Sequence, residues 1–244
     1  MLKKKTTFLS LCLIIVLGAC QSSQEPVNSP SPNEKKNNKA EVEMVNLIDA
    51  PEQKISASQA AVHQYEFVYT NKKKLLPSQS SLVNEVRLGD NSLVILNTQK
   101  YDRNFVVFDY KNIDGRWNIQ NIVTLDVLDG EYFKNKEKLN LPFNEFVVAK
   151  YTDNNPKLWT FANKEKIVTI AKHDRFTFQD QQAQKKTVGD KELYVHTKEK
   201  NSYVYYFDSE SVILLSGNLN EEDLIELAAS LPSANESSFP TKAQ

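Results

Sequence analysis

The sequence predicts an α+β fold, predominantly antiparallel β-sheet with few helices, and three observations carry that expectation. Apolar residues recur at alternate positions through most of residues 82–216, the signature of half-buried strands. Short turn signals such as Asp114-Gly115 and Val188-Gly189-Asp190 punctuate those segments. The strongest helical pattern is confined to one stretch near the C-terminus, immediately before Pro232.

Taken in order, Ser58–Ala61 can begin a helix, while Tyr65–Thr70 reads as a strand. Leu82–Leu88 alternates, with Leu82, Val86 and Leu88 on one face, and Gly89-Asp90-Asn91 turns the chain. Ser92–Leu96 is apolar on both faces, and Phe105–Tyr110 is strongly β-prone. After the Asp114-Gly115 hairpin, Trp117–Val127 places Ile119, Val123, Leu125 and Val127 on one face. These four segments predict an antiparallel meander. The charged stretch Asp129–Asn140 is compatible with a short helix. Further strands are expected at Asn144–Tyr151, Lys157–Ala162, Ile167–Ala171, Arg175–Phe178, Glu192–Thr197, Ser202–Phe207 and Ser211–Ser216. The closing helix has Asn220 as N-cap, three acids in its first turn, and a stripe of Leu224, Ile225, Leu227, Ala228 and Leu231.

The N-terminus carries a different signal. Lys3, Lys4 and Lys5 precede an apolar run from Phe8 to Leu17, then Leu17-Gly18-Ala19-Cys20. The run is too short to span about 30 Å of hydrocarbon, and it suits the core of a signal peptide over residues 1–19. The closing tetrapeptide resembles the lipobox of bacterial lipoproteins. That resemblance implies a diacylglycerol thioether on Cys20, with palmitate-type chains, and an extracytoplasmic protein held to the cell membrane through its lipid. Residues 20–45, rich in Ser, Pro, Asn, Glu and Lys, read as a tether of roughly 25–30 Å reach. The Lys and Asn content leans toward a Gram-positive source. Residues 46–130 and 131–232 then divide as a β-meander lobe and an α+β lobe, either as one continuous fold or as two, with 233–244 as a disordered tail.

The C-terminal pattern is similar to a bacterial family of domains of unknown function. The carrying residues are Leu215-Ser216-Gly217, Leu219, Glu222, Leu224, Ile225, Ala228, Ser230 and Leu231, a strand pair leading through L-S-G-x-L to an amphipathic helix. The likeness is close over 201–232 and looser over 131–232. The family's tryptophan on the penultimate strand is replaced by Tyr205 or Tyr206. The resemblance implies an extracytoplasmic setting, in lipoproteins or membrane proteins tied to sigma-factor regulation, and transfers no catalytic residue.

Composition excludes several function classes. With the three leader lysines removed from 30 basic residues, against 31 acids, net charge is −4, which gives no polybasic surface for nucleic acid. Both cysteines lie in the first 20 residues, so the folded part is expected to have neither a disulfide nor a thiolate metal site. His63, His173 and His196 show no metal-binding spacing and read as solvated strand or loop residues. Ser216 follows a strand but lacks the glycine pattern of a nucleophile elbow, and reads as a turn residue. No catalytic residue, metal or cofactor is implied. The Lys72-Lys73-Lys74 run reads as a solvated loop. The suggestive feature is aromatic: Tyr203, Tyr205 and Phe207 share a strand face, and Phe176 and Phe178 add a second stripe. Such residues either pack a doubly buried sheet or form an apolar binding face. The expectation is a non-enzymatic binding, sensing or envelope-accessory protein that takes an envelope protein partner. The alternative is a carrier or chaperone with a hydrophobic ligand, a lipid or lipoprotein, between sheet and helix.

Overall fold

The computed structural model describes residues 42–241 except 50, 52–53, 99–104, 135–138 and 153–156. The leader, Cys20 and most of the expected tether therefore lie outside the described residues.

Among the described residues the fold is predominantly antiparallel β-sheet with two α-helices, the second of them C-terminal. Strand β1 (Val42–Leu47) pairs with β2 (Tyr65–Tyr69), which pairs with β3 (Lys74–Leu75). Residues 42–45, expected in the tether, are thus the start of an edge strand. Helix α1 (Ala57–Gln64) runs directly into β2, so both readings of this stretch hold, one after the other. Ser56 closes a capping box with Gln59, and four small or branched apolar residues of α1 are buried. The expected meander is a four-stranded sheet in chain order: β4 (Leu82–Leu88), β5 (Asn91–Asn97), β6 (Phe105–Ile113) and β7 (Arg116–Leu125). Asp114 and Gly115, at φ 53° and 85°, form the tight hairpin their sequence predicts.

A third sheet has eight strands, in the order β12 (Gln184–Val188), β13 (Lys191–His196), β14 (Tyr203–Asp208), β15 (Ser211–Gly217), β11 (Ile167–Asp174), β10 (Lys157–Ala162), β9 (Glu145–Tyr151), β8 (Phe133–Lys134). Helix α2 (Glu221–Ser230) starts at Asn220, whose Oδ1 accepts from the Asp223 amide at 2.7 Å. Lys186 and Lys166 pair with Glu221 and Asp223 in its first turn. Lys191 Nζ donates to the carbonyls of Ala228, Ala229 and Leu231 at its other end, at 3.1, 3.2 and 2.5 Å. Groups of opposite sign thus meet each pole of the helix.

Three apolar slabs separate these layers. One lies between α1 with β1–β3 and the meander, and includes Val94, Leu96, Val106, Phe108 and Trp117. The middle slab takes the meander's other face, including Leu93, Ile95 and Val107, and the facing side of the large sheet, including Leu158, Tyr203 and Leu214. It draws on both sides of residue 130. The third lies between the large sheet and α2, with Val204, Tyr206, Leu215, Leu224 and Leu227. Strands β5 and β6 are buried on both faces, which explains why Ser92–Leu96 shows no clean alternation.

Two β-bulges correct the predicted faces. The register between β4 and β5 shifts between Leu82 and Asn84. Leu82 consequently packs on the α1 side, while Val83, Val86 and Leu88 face the middle slab. On β7 the partners of Asp109 and Tyr110 are Asn121 and Ile119, so Gln120 is the extra residue. Ile119 joins Trp117 on the α1 side, and only Val123, Leu125 and Val127 face the middle slab. One inserted residue reverses every side chain beyond it.

Other expectations also change. Asp129–Asn140 forms bends and the two-residue strand β8 among its described residues, rather than a helix. Arg175–Phe178 is irregular, and β12 is a strand the pattern missed because it carries few apolar residues. Residues 233–241, expected in a disordered tail, fold back as turns that bury Ala234 and Phe239. Ser216 is a buried strand residue, and its Oγ accepts from Asn84 Nδ2 at 2.9 Å. Lys72 and Lys74 are paired with Glu43 and Glu66.

Candidate functional site

The expected aromatic face is assembled, and it is filled. Tyr205 stacks on Tyr194 with ring centroids 4.8 Å apart and planes 5° from parallel. Phe178 meets Tyr205 edge-on at 5.2 Å and lies 5.0 Å from Phe176. Tyr203 donates to Asp180 Oδ2 at 2.9 Å. The irregular segment containing Phe176, Phe178 and Asp180 therefore folds over the tyrosines, leaving Tyr203 and Tyr205 under 5% exposed. Phe207, at 38%, is the open member, and the Arg175 guanidinium lies 4.8 Å from its ring centroid. The structure thus brings all five predicted residues together and covers two of them with the chain itself.

His173 departs from the expected solvated state. It is buried, and burial lowers its pKa to about 4 despite the adjacent Asp174. Asp109 is buried beside Asn121, whose Nδ2 donates to its carboxylate at 3.0 Å, yet burial still raises its pKa to about 7. Both border one void of about 10 Å³, room for about one water molecule and far below a substrate pocket. His63 is exposed and His196 half-buried. Among the described residues no group of three His, Cys, Asp or Glu side chains is placed to hold a metal ion.

Phe207, with Tyr194 and Tyr206, borders an open groove of about 760 Å³, and another lies on the α2 side of the big sheet but beyond the helix, over β9 and β10. Helix α2 packs on β13, β14 and β15, so the other end of this face is left to the C-terminal turns. Between them lies a groove of about 930 Å³. Its floor follows from strand alternation: Phe146, Val148 and Lys150 on β9, Lys157, Trp159 and Phe161 on β10, with Lys172 on β11. Register arranges these in rows. Phe161 lies opposite Val148, Trp159 opposite Lys150, and Lys157 opposite Lys172. Apolar residues therefore occupy one end and lysines the other, about 13 Å apart along β10 at the usual rise per residue.

Phe146 anchors the apolar end, edge-on to Phe161 at 5.6 Å and 6.3 Å from Phe133. Val148 and Phe133 are 39% and 43% exposed. Phe239 forms the opposite wall, with its ring edge-on to Trp159 at 5.3 Å. Lys172 Nζ donates to the Ala234 carbonyl and lies 5.9 Å from the Phe239 ring centroid. Lys150 and Lys157 are exposed and have neither an ion pair nor a hydrogen bond among the described residues. Four lysines and one acid, Glu236, line the groove. The pattern was present in Phe146-x-Val148-x-Lys150 and Lys157-x-Trp159-x-Phe161, but only strand register shows that the two lysine ends coincide.

No helix among the described residues is long and apolar enough to cross a membrane. No curated protein matches the chain. Residues 127–231 contain a domain matching the family described as Domain of unknown function (DUF4367), which spans the groove's floor strands and α2 and stops short of the wall formed by 234–241.

Proposed function

We propose that this chain is a lipid-anchored extracytoplasmic protein with a non-enzymatic binding role, and that its binding face is the groove over β9 and β10. The observation that carries the binding role is the contrast between packed slabs and an open, partly apolar groove of about 930 Å³ with exposed apolar side chains on its floor. That volume is of ligand-site size, and exposed apolar surface at its floor favours occupation. The space between sheet and α2, where a carrier cavity was expected, is occupied by Leu215, Leu224, Leu227 and their neighbours. A buried Asp and His that face only a water-sized void give no support to a hydrolytic reading. The anchor rests on the Leu17–Cys20 sequence alone.

Two experiments test the two parts. Intact-mass analysis of the chain recovered from membranes should give a mature start at Cys20 carrying acyl groups. A start at Met1, or an unmodified thiol at Cys20, contradicts the anchor. For the binding face, a photoreactive benzoylphenylalanine at Val148 should give adducts in intact cells. The same group at Ile113, 49% exposed on the β6–β7 hairpin, should not. Absence of any Val148 adduct contradicts the groove as binding face.

A further inference from the structure

We infer that the groove binds an anionic amphiphile, with its hydrocarbon on the Phe146–Phe161 end and its phosphate or carboxylate at the lysine end. This rests on the groove being the binding face and adds the chemistry of what it holds.

The argument is one of segregated complementarity. Lys150, Lys157 and Lys172 lie at the same end of three neighbouring strands, with Lys157 directly opposite Lys172. Like charges opposite one another on a sheet repel. Among the described residues Lys150 and Lys157 have no partner and Lys172 donates to a neutral carbonyl, so no paired negative charge offsets the three ammonium groups, and an anion placed among them relieves their repulsion. Lys134, at the apolar end, faces Glu145 across β8–β9 instead. Three of the groove's four lysines therefore stand where the apolar floor stops. Trp159 sits at the junction, half-buried, with an apolar ring and an N–H, the side chain suited to a boundary between hydrocarbon and polar surroundings. An extended peptide would also need partners for its backbone amides, and the apolar end of the floor offers rings and a valine. An acyl chain needs none.

Titration of the exported chain carrying Cys20→Ser, which has no acyl group of its own, tests this. Myristoyl lysophosphatidylglycerol, kept below its micelle concentration, should shift Trp159 emission and saturate. Lysophosphatidylcholine of the same chain length should bind roughly tenfold more weakly, the effect of losing attraction to one or two lysines at about 1 kcal/mol each. Lys150→Gln with Lys157→Gln should weaken the anionic ligand about tenfold and leave the zwitterionic one unchanged. Val148→Asp should weaken both, and glycerol 3-phosphate at matched concentration should displace neither. Equal affinity for both lysophospholipids overturns the anionic assignment. Equal affinity for glycerol 3-phosphate and lysophosphatidylglycerol overturns the amphiphile assignment. A protein adduct at Val148 in cells, with no lysophospholipid binding, keeps the groove as binding face and overturns this inference alone. Absence of both adduct and titration overturns both.

Discussion

The side chain of Asn84 pairs with the backbone of Ser202 as a strand would. Its Oδ1 accepts from the Ser202 amide at 2.9 Å and its Nδ2 donates to the Ser202 carbonyl at 2.6 Å. The same Nδ2 donates to Ser216 Oγ, and the Glu85 amide donates to the Lys200 carbonyl at 3.0 Å. The bulge at Leu82–Asn84 presents this amide to the large sheet, so one local irregularity couples residues 118 positions apart. Asn84→Leu should therefore destabilise the fold by about 2–4 kcal/mol, because it orphans the half-buried amide and carbonyl of Ser202 and removes the donor to the buried Ser216 hydroxyl. Denaturant unfolding measures it; a loss below about 0.5 kcal/mol would show that water replaces the amide.

Gly217 is needed for close approach rather than for a turn. A Cβ there would lie 2.1 Å from the Ile167 carbonyl oxygen, a backbone atom that cannot rotate away. Gly217→Ala should cost about 2–4 kcal/mol, with the β11–β15 pairing disturbed. Gly189→Ala, with open space around its Cβ but φ of 62°, should cost only about 1 kcal/mol. Thermal unfolding of both variants gives the ranking.

Asp109 and His173 should impose opposite pH dependences on stability. The Asp109 carboxyl holds its proton up to about pH 7 when folded, against about 4 when unfolded, so its contribution falls as pH rises through that window. The His173 ring, near 4 when folded and about 6.5 unfolded, gives up its proton earlier on folding, so its contribution rises between pH 4 and 6.5. The wild-type curve should be nearly flat there. Asp109→Asn should leave stability rising with pH, and His173→Gln should leave it falling. Parallel curves for all three proteins would contradict the assignments.

The C-terminal turns should behave as a structural wall. Phe239→Ala removes the ring packed on Trp159. It should red-shift tryptophan emission, with buried Trp117 as a constant background, and cost about 1–3 kcal/mol. An unchanged spectrum would show that the wall does not protect Trp159.

Much of this fold was legible from alternation and turn chemistry, because most strands have one apolar face and the Asp114-Gly115 and Asn220 signals act locally. The losses have physical causes. Bulges at Leu82–Asn84 and Gln120 reverse faces without altering composition. Strand β12, Gln-Lys-Lys-Thr-Val, is an edge strand guarded by lysines and so lacks an apolar face. Strand alternation is enough to place Tyr203, Tyr205 and Phe207 on one face, but the covering of Tyr205 by Phe178 depends on a long-range fold-back that periodicity does not encode. The groove went unseen for the same reason: Lys157 and Lys172 are 15 residues apart in sequence and opposite one another in the sheet.

Solvent access at Val148 in living cells decides whether the groove over β9 and β10 is occupied. In the full chain carrying Val148→Cys, maleimide labelling rates can be compared between intact cells and the purified, delipidated protein, with Leu128→Cys, 56% exposed outside the groove lining, as reference. An occupied groove predicts labelling at 148 slowed at least severalfold in cells, with 128 unchanged. Equal rates at 148 in both settings would mean that nothing sits there, and the groove would not be the face this protein uses.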